Sequence, residues 1–277
     1  MQLATPNPRA RPSRNMFLAV YLLLSSCLGC CFDGASCATQ SMPCLGDHPI
    51  RSDYSNFYSK QSLTVAAEVF AAGAVMANTN VDQQLQDWYQ DDVRSNSTDD
   101  IASVAKVFGE GYLMLPALGI ALAAGEMMDN RPKASVAGDW ADQSLRAMAV
   151  GAPPMLATQM LTGASRPTES NAGSDWVPLH DNNGVSGHAF MGAVPFITAA
   201  KMTEDPLAKA GFYAASTLTG LSRLNDDDHY SSQILLGWSV AYIACSAVSD
   251  TEQELKDYRF TTVPIPDGVG VGVVFER

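Results

Sequence analysis

An all-α fold, a helical bundle of about six core helices with a small C-terminal β-ribbon, is predicted by three observations. Apolar residues make up 47% of the 277-residue chain, enough to bury a sizeable core as one large domain. Long alanine- and valine-rich stretches from Gln61 onward contain few breakers and begin at cap-forming residues. Alternating apolar residues around a tight turn occur only in the tail.

In chain order, residues 1–26 have the layout of an export signal: Arg9, Arg11 and Arg14, then the apolar run Met16 to Leu24, then Ser25-Ser26-Cys27. The run is well short of the ~20 residues a spanning helix needs. Leu24-Ser25-Ser26-Cys27 resembles a bacterial lipobox, in which Cys27 is lipid-modified and becomes the mature N-terminus. An ordinary cleaved signal is the alternative, and translation from Met16 is a further one. The lipobox reading places the protein in a bacterial cell envelope, anchored to a membrane and facing the periplasm or the exterior.

Residues 27–60, rich in Ser, Asp, Gly and Pro, read as a tether. Cys30, Cys31, Cys37 and Cys44 can form two disulfides there in an oxidising compartment, with the pairing open. Metal binding by this cluster is the weaker alternative, because only His48 is near and no paired Cys-x-x-Cys spacing repeats. Cys245, in an apolar helix, reads as a buried free thiol.

The helical domain is expected over residues 61–250. Helices are predicted at Leu63 to Ala77, at Ile101 to Met128 after a Thr98-Asp99-Asp100 start, and at Val136 to Leu161 with a bend near Pro153-Pro154. Three more follow at Ser186 to Met202, Pro206 to Leu224 and His229 to Val248, the second opened by Asp205 as cap and Pro206 in the first turn. The apolar runs Gly111 to Gly125 and Ile234 to Val248 are 15 residues each, and mean hydropathy is −0.01, so both read as core helices and not as membrane spans. Residues 251–277 form the tail, with a ribbon predicted about the Pro266-Asp267-Gly268 turn.

Net charge is −12, and loss of the three leader arginines would take it to −15. That balance repels nucleic acid, so no nucleic-acid partner is expected, and any anionic substrate needs a local cationic site. The chemistry-bearing residues form one ordered set. Gln159 is followed by six residues and Arg166-Pro167, then by Ser186-Gly187-His188, then by Ser222-Arg223, five residues, His229, three residues and Gln233. Arg166 and Arg223 each offer a planar fork of donors to an oxyanion. Ser186 and Gly187 open a helix, supplying backbone amides and close approach. His188 stands beside that position as a proton donor. His229 can attack phosphorus with its second ring nitrogen held by Gln233, one helical turn later.

Taken together, this set resembles the type 2 phosphatidic acid phosphatase and vanadium haloperoxidase superfamily, whose pattern is Lys-x6-Arg-Pro, Pro-Ser-Gly-His and Ser-Arg-x5-His-x3-Asp. The resemblance covers about Ile101 to Val248. It implies a phosphatase acting on phosphate monoesters, lipid phosphates among them, through a phosphohistidine on His229. Arg166, Arg223, Ser186, Gly187 and Gln159 would bind the phosphate, His188 would protonate the leaving oxygen, and Gln233 would orient the nucleophile. No metal or other cofactor is expected for that reaction, since the arginines neutralise the developing charge.

Three positions depart from the pattern: Val185 stands for proline, Gln159 for lysine and Gln233 for aspartate. A glutamine carbonyl orients an imidazole but gives it no charge. Asp226, Asp227 or Asp228 is a candidate for the missing carboxylate, although the run reads first as a solvated loop. A vanadium-dependent haloperoxidase, with vanadate on His229, and a non-catalytic envelope lipoprotein retaining the fold are the alternative functions.

Overall fold

The structure is a computed structural model and describes residues 47–127, 132–169, 173–265 and 268–275. Its compact unit begins at Asp47. Cys27, the expected export signal and the N-terminal cysteine cluster lie outside the described residues.

Nine α-helices occur among the described residues: α1 (Asp47–Phe57), α2 (Lys60–Ala77), α3 (Val81–Trp88), α4 (Asn96–Ala105), α5 (Gly111–Met127), α6 (Pro132–Thr162), α7 (Gly187–Met202), α8 (Pro206–Asn225) and α9 (Ser231–Asp257). A π-turn at Tyr89–Val93 extends α3, and a 3-10 turn at Lys106–Gly109 extends α4. Short polar residues start the helices as their chemistry dictates. Ser59 accepts from the Ser62 amide, Ser95 and Thr98 form a reciprocal capping box, and Asp205 accepts from the Ala208 amide at 2.7 Å. Pro153 and Pro154 sit inside α6 and do not end it.

Helix α9 lies at the centre, packed by α1, α2, α6, α7 and α8. Its Leu236, Ile243 and Val248 share a core with Phe190, Val194 and Ile197 of α7, Val150 of α6 and Leu118 of α5. Val185, the residue standing for proline, is fully buried in the same core, so that position is held by packing where a proline ring would hold it by rigidity. Cys245 is a buried free thiol.

The Ile101 to Met128 segment, expected as one helix, is α4 and α5 with a break at Gly109–Glu110, and two further expectations need correction. Within the tether expected through Lys60, Asp47–Phe57 is a helix anchored to α6 and α9. Tyr54 donates to the Ala149 carbonyl, and Phe57 is buried. Asp53, completely buried, takes both prongs of the Arg146 guanidinium at 2.7 and 2.8 Å, and Arg146 also holds Glu252 of α9 at 2.5 Å. Polar composition hid the helix, because beside Phe57 the residue it buries is an aspartate whose partner lies 93 positions away. Arg146→Ala should strand Asp53 without a counter-charge and lower unfolding free energy by about 3–5 kcal/mol in a denaturant titration.

The second correction concerns apolar length. Residues Ser231–Leu255 of α9 form one helix long and apolar enough to cross a membrane, with mean hydropathy 1.3 in its best window, although 56% of that window is buried inside the bundle. The helix continues well past the apolar run read from the sequence. The bent pairs 60–93 and 96–127 would bring the number of such segments to three if each counted as one. Apolar side chains also face outward, with Ile120, Leu179 and Leu207 71%, 72% and 82% exposed.

The bundle itself is helical throughout.

Candidate active site

Two loops and one helix start meet over the N-terminal end of α9. Ser186 caps α7: its Oγ accepts from the Ala189 amide at 3.3 Å, and its carbonyl takes the first intrahelical bond from Phe190. The amides of Gly187 and His188 precede that bond, so they are free to serve a ligand at the positive end of the helix. The Ser186 amide donates to the Gln233 carbonyl at 2.9 Å, tying this loop to α9. Gly237 permits the approach, since a Cβ there would stand 2.3 Å from the Ser186 carbonyl oxygen. Gln159 donates its side-chain amide to the Val185 carbonyl at 2.7 Å, so it braces the loop from α6. A lysine there would bring charge, whereas this glutamine supplies a neutral strut.

The second loop runs from Arg223 to His229. The Arg223 carbonyl accepts from the amides of Asp228 and His229, closing the end of α8. Asp227 has a φ of 59°, a left-handed conformation for a residue with a side chain, and Gln86 of α3 holds its carboxylate at 2.5 Å. Gln90, in the π-turn, donates to the Leu224 carbonyl at 2.8 Å. Buried Asp82 accepts from both the amide and the hydroxyl of Ser232 in the first turn of α9, and burial raises its pKa. None of these braces was read from the sequence. The glutamine-rich segment Val81 to Gln90 was the available signal, but its partners lie more than 130 positions away.

His229 is 4% exposed and Gln233 fully buried. The Gln233 amide nitrogen donates to the Ser165 carbonyl at 2.8 Å, which fixes the amide's orientation. Its oxygen therefore faces the Tyr230 amide at 3.2 Å and the His229 Nδ1 at 2.7 Å. An acceptor at Nδ1 demands a proton there, so Nε2 carries the free lone pair. Asp226, Asp227 and Asp228 do not supply the missing carboxylate. Asp228 pairs with Arg223, Asp226 with Arg223 at 3.8 Å and Lys106 at 3.4 Å, and Asp227 with Gln86. Among the described residues no group of three or more His, Cys, Asp or Glu is arranged to hold a metal ion.

Arg166 donates its Nε to Asn183 at 3.0 Å and lies 3.8 Å from Glu169. Asn183 is in turn held by Glu169 and by Asp181, which makes Asp181 a loop brace; neighbouring His180 is exposed. Arg223 is nearly buried, and its Nε is a buried donor with no partner among the described residues. Burial lowers its pKa, with Asp226 opposing. The same two guanidiniums act on both histidines. Burial first, then Arg223 and Arg166, pull His188 below the ordinary imidazole value, against Glu110. Burial drives His229 down to about 3, with the Gln233 hydrogen bond opposing and Arg166, Arg223 and His188 contributing. Both histidines and both arginines thus share one electrostatic environment.

A pH dependence of stability follows. Unfolded His229 takes a proton near pH 6.5, whereas the folded residue stays neutral to about pH 3. Between those values the unfolded state binds more protons, so stability falls as pH falls, by about 1.4 kcal/mol per unit from this residue. Denaturant titrations from pH 7 to pH 4 should show that slope, and His229→Asn should reduce it.

No family model and no curated protein matches the chain. Among solved structures, it is similar to a transmembrane PAP2 type phosphatidylglycerolphosphate phosphatase from Bacillus subtilis, with 12% sequence identity, a TM-score of 0.47, and coverage of 76% of this chain and 95% of that one.

Proposed function

We propose that this chain is a phosphatase that hydrolyses phosphate monoesters through a phosphohistidine on His229. One observation carries the reading: the Ser165–Gln233–His229 hydrogen-bond chain leaves a neutral Nε2 lone pair in a site that also holds Arg166, Arg223 and His188. In this mechanism Nε2 attacks phosphorus in line with the leaving oxygen. Arg166, Arg223 and the amides of Gly187 and His188 take the phosphoryl oxygens, and the partnerless Arg223 Nε is suited to one of them. His188 delivers a proton as the P–O bond breaks, and water then cleaves the P–N bond. No cofactor takes part in the proposed step.

The substrate class extends to lipid phosphates, and the protein acts at a membrane in the bacterial envelope, held there by acylated Cys27. The outward-facing apolar side chains and the length of α9 support membrane association. Cys27→Ser should release the protein from the membrane fraction if acylation is its attachment; retention would assign attachment to the helices. The C-terminal ribbon belongs to the proposal as an appendage without a part in the chemistry.

The experiment is phosphate release by the full chain from p-nitrophenyl phosphate and from a panel of soluble and lipid monoesters. Turnover that requires His229 supports the phosphatase. Vanadate-dependent bromination without phosphate release would assign the haloperoxidase, and neither activity would assign a non-catalytic lipoprotein.

A further inference from the structure

We propose that Glu110 is the positioning residue that sets a carboxylate against His188 and favours its protonated form over what the two arginines alone would allow, so that among the described residues the site's histidine–carboxylate pair belongs to the leaving-group acid and not to the nucleophile. The inference rests on the phosphatase reading above and adds to it a residue outside all three sequence motifs.

The geometry begins at Gly109. A Cβ on Gly109 would stand 3.0 Å from both Cβ and Cδ2 of His188 and 2.8 Å from Cγ2 of Thr219, so the backbone between α4 and α5 lies directly against the His188 ring. The next residue is Glu110, whose Oε1 stands 3.5 Å from His188 Nε2. Its backbone is fixed at both ends: its amide donates to Val107 at 3.2 Å, and its carbonyl accepts from Leu113 and Met114 at 2.9 Å, making it the cap of α5. Thr219 of α8 ties the same segment down through the Ala105 carbonyl at 3.0 Å. The backbone that carries the carboxylate to His188 is therefore a braced turn.

Charge explains the need. Glu110 stands against His188 from the α4–α5 junction, and the charges of Arg223 from α8 and Arg166 from the loop after α6 act on it, as it acts in turn on His229 from the loop before α9. Two of these are cations that oppose protonation of His188, and Glu110 is the one anion among them. The other site carboxylates are committed to arginines: Asp226 and Asp228 to Arg223, and Glu169 to Arg166. His229, meanwhile, has a neutral glutamine partner and stays unprotonated. Two histidines in one site with unlike partners divide the labour of base and acid, the neutral one attacking and the carboxylate-backed one donating.

A general acid loses function as pH rises through its pKa, so Glu110 acts on the basic limb of the kcat/KM profile. Glu110→Gln should move that limb to lower pH by at least about half a unit and slow alkyl phosphates tenfold or more at neutral pH. It should slow p-nitrophenyl phosphate by only two- to threefold, because that leaving group needs little protonation. Glu110→Asp should recover part of the alkyl phosphate rate. Equal slowing of both substrate types with an unmoved basic limb would overturn the proposal and leave Glu110 a helix cap. An NMR titration of the His188 ring in wild type and Glu110→Gln requires no turnover. An unchanged His188 pKa there would overturn the proposal even in a protein that hydrolyses nothing, whereas a lowered pKa in such a protein would uphold the pairing while the phosphatase reading itself failed.

Discussion

His229→Ala should abolish phosphate release from p-nitrophenyl phosphate, with a loss of roughly 10⁴-fold or more, because it removes the nucleophile that the mechanism requires. His188→Ala should behave differently, sparing activated aryl phosphates relative to alkyl ones, since it removes a proton donor and leaves the nucleophile in place. The fold should survive the first change. Gln233 keeps the Ser165 carbonyl and the Tyr230 amide, so only one of its three side-chain hydrogen bonds is lost. Circular dichroism of the variant separates lost chemistry from lost structure.

Gln233→Leu should lower kcat by about 10²–10⁴-fold, comparable to the effect of removing the group that fixes a catalytic histidine's tautomer elsewhere. It should also cost about 1–3 kcal/mol of stability, because the buried Ser165 carbonyl loses its donor. The same hydrogen bond alters what restoring the aspartate of the resembled pattern would do. Aspartate is shorter and has no donor for Ser165, and it would place a charge where the glutamine is fully buried. Gln233→Asp is therefore expected to destabilise the protein and slow it, whereas a simple loss-of-function glutamine would give a faster enzyme on reversion. Thermal melts and steady-state rates on the one variant distinguish the two.

Local chemistry was legible in the sequence, and long-range chemistry was not. Asp205-Pro206 and Ser186 announced their helices because a cap acts within three residues. His229 and Gln233 could be paired for the same reason, being one turn apart at the head of α9. The orientation of that glutamine could not, because it depends on Ser165, 68 positions earlier. Glu110 was hidden inside an apolar segment read as one helix from Ile101 to Met128. The break at Gly109–Glu110 becomes visible only when His188 is known to lie against it. Helix α1 was missed because its buried face is built on an aspartate–arginine pair, which composition alone scores as polar tether. In each case the misread residue satisfies a partner far away in the chain, where neither spacing nor periodicity carries information.

The most direct measurement is rapid acid-free quenching of the protein with ³²P-labelled p-nitrophenyl phosphate, followed by mapping of the labelled peptide. The account predicts an alkali-stable, acid-labile phosphoramidate on His229, absent from His229→Ala and accumulating in wild type when hydrolysis is slowed. Label on another residue, or steady turnover by His229→Ala, would contradict it.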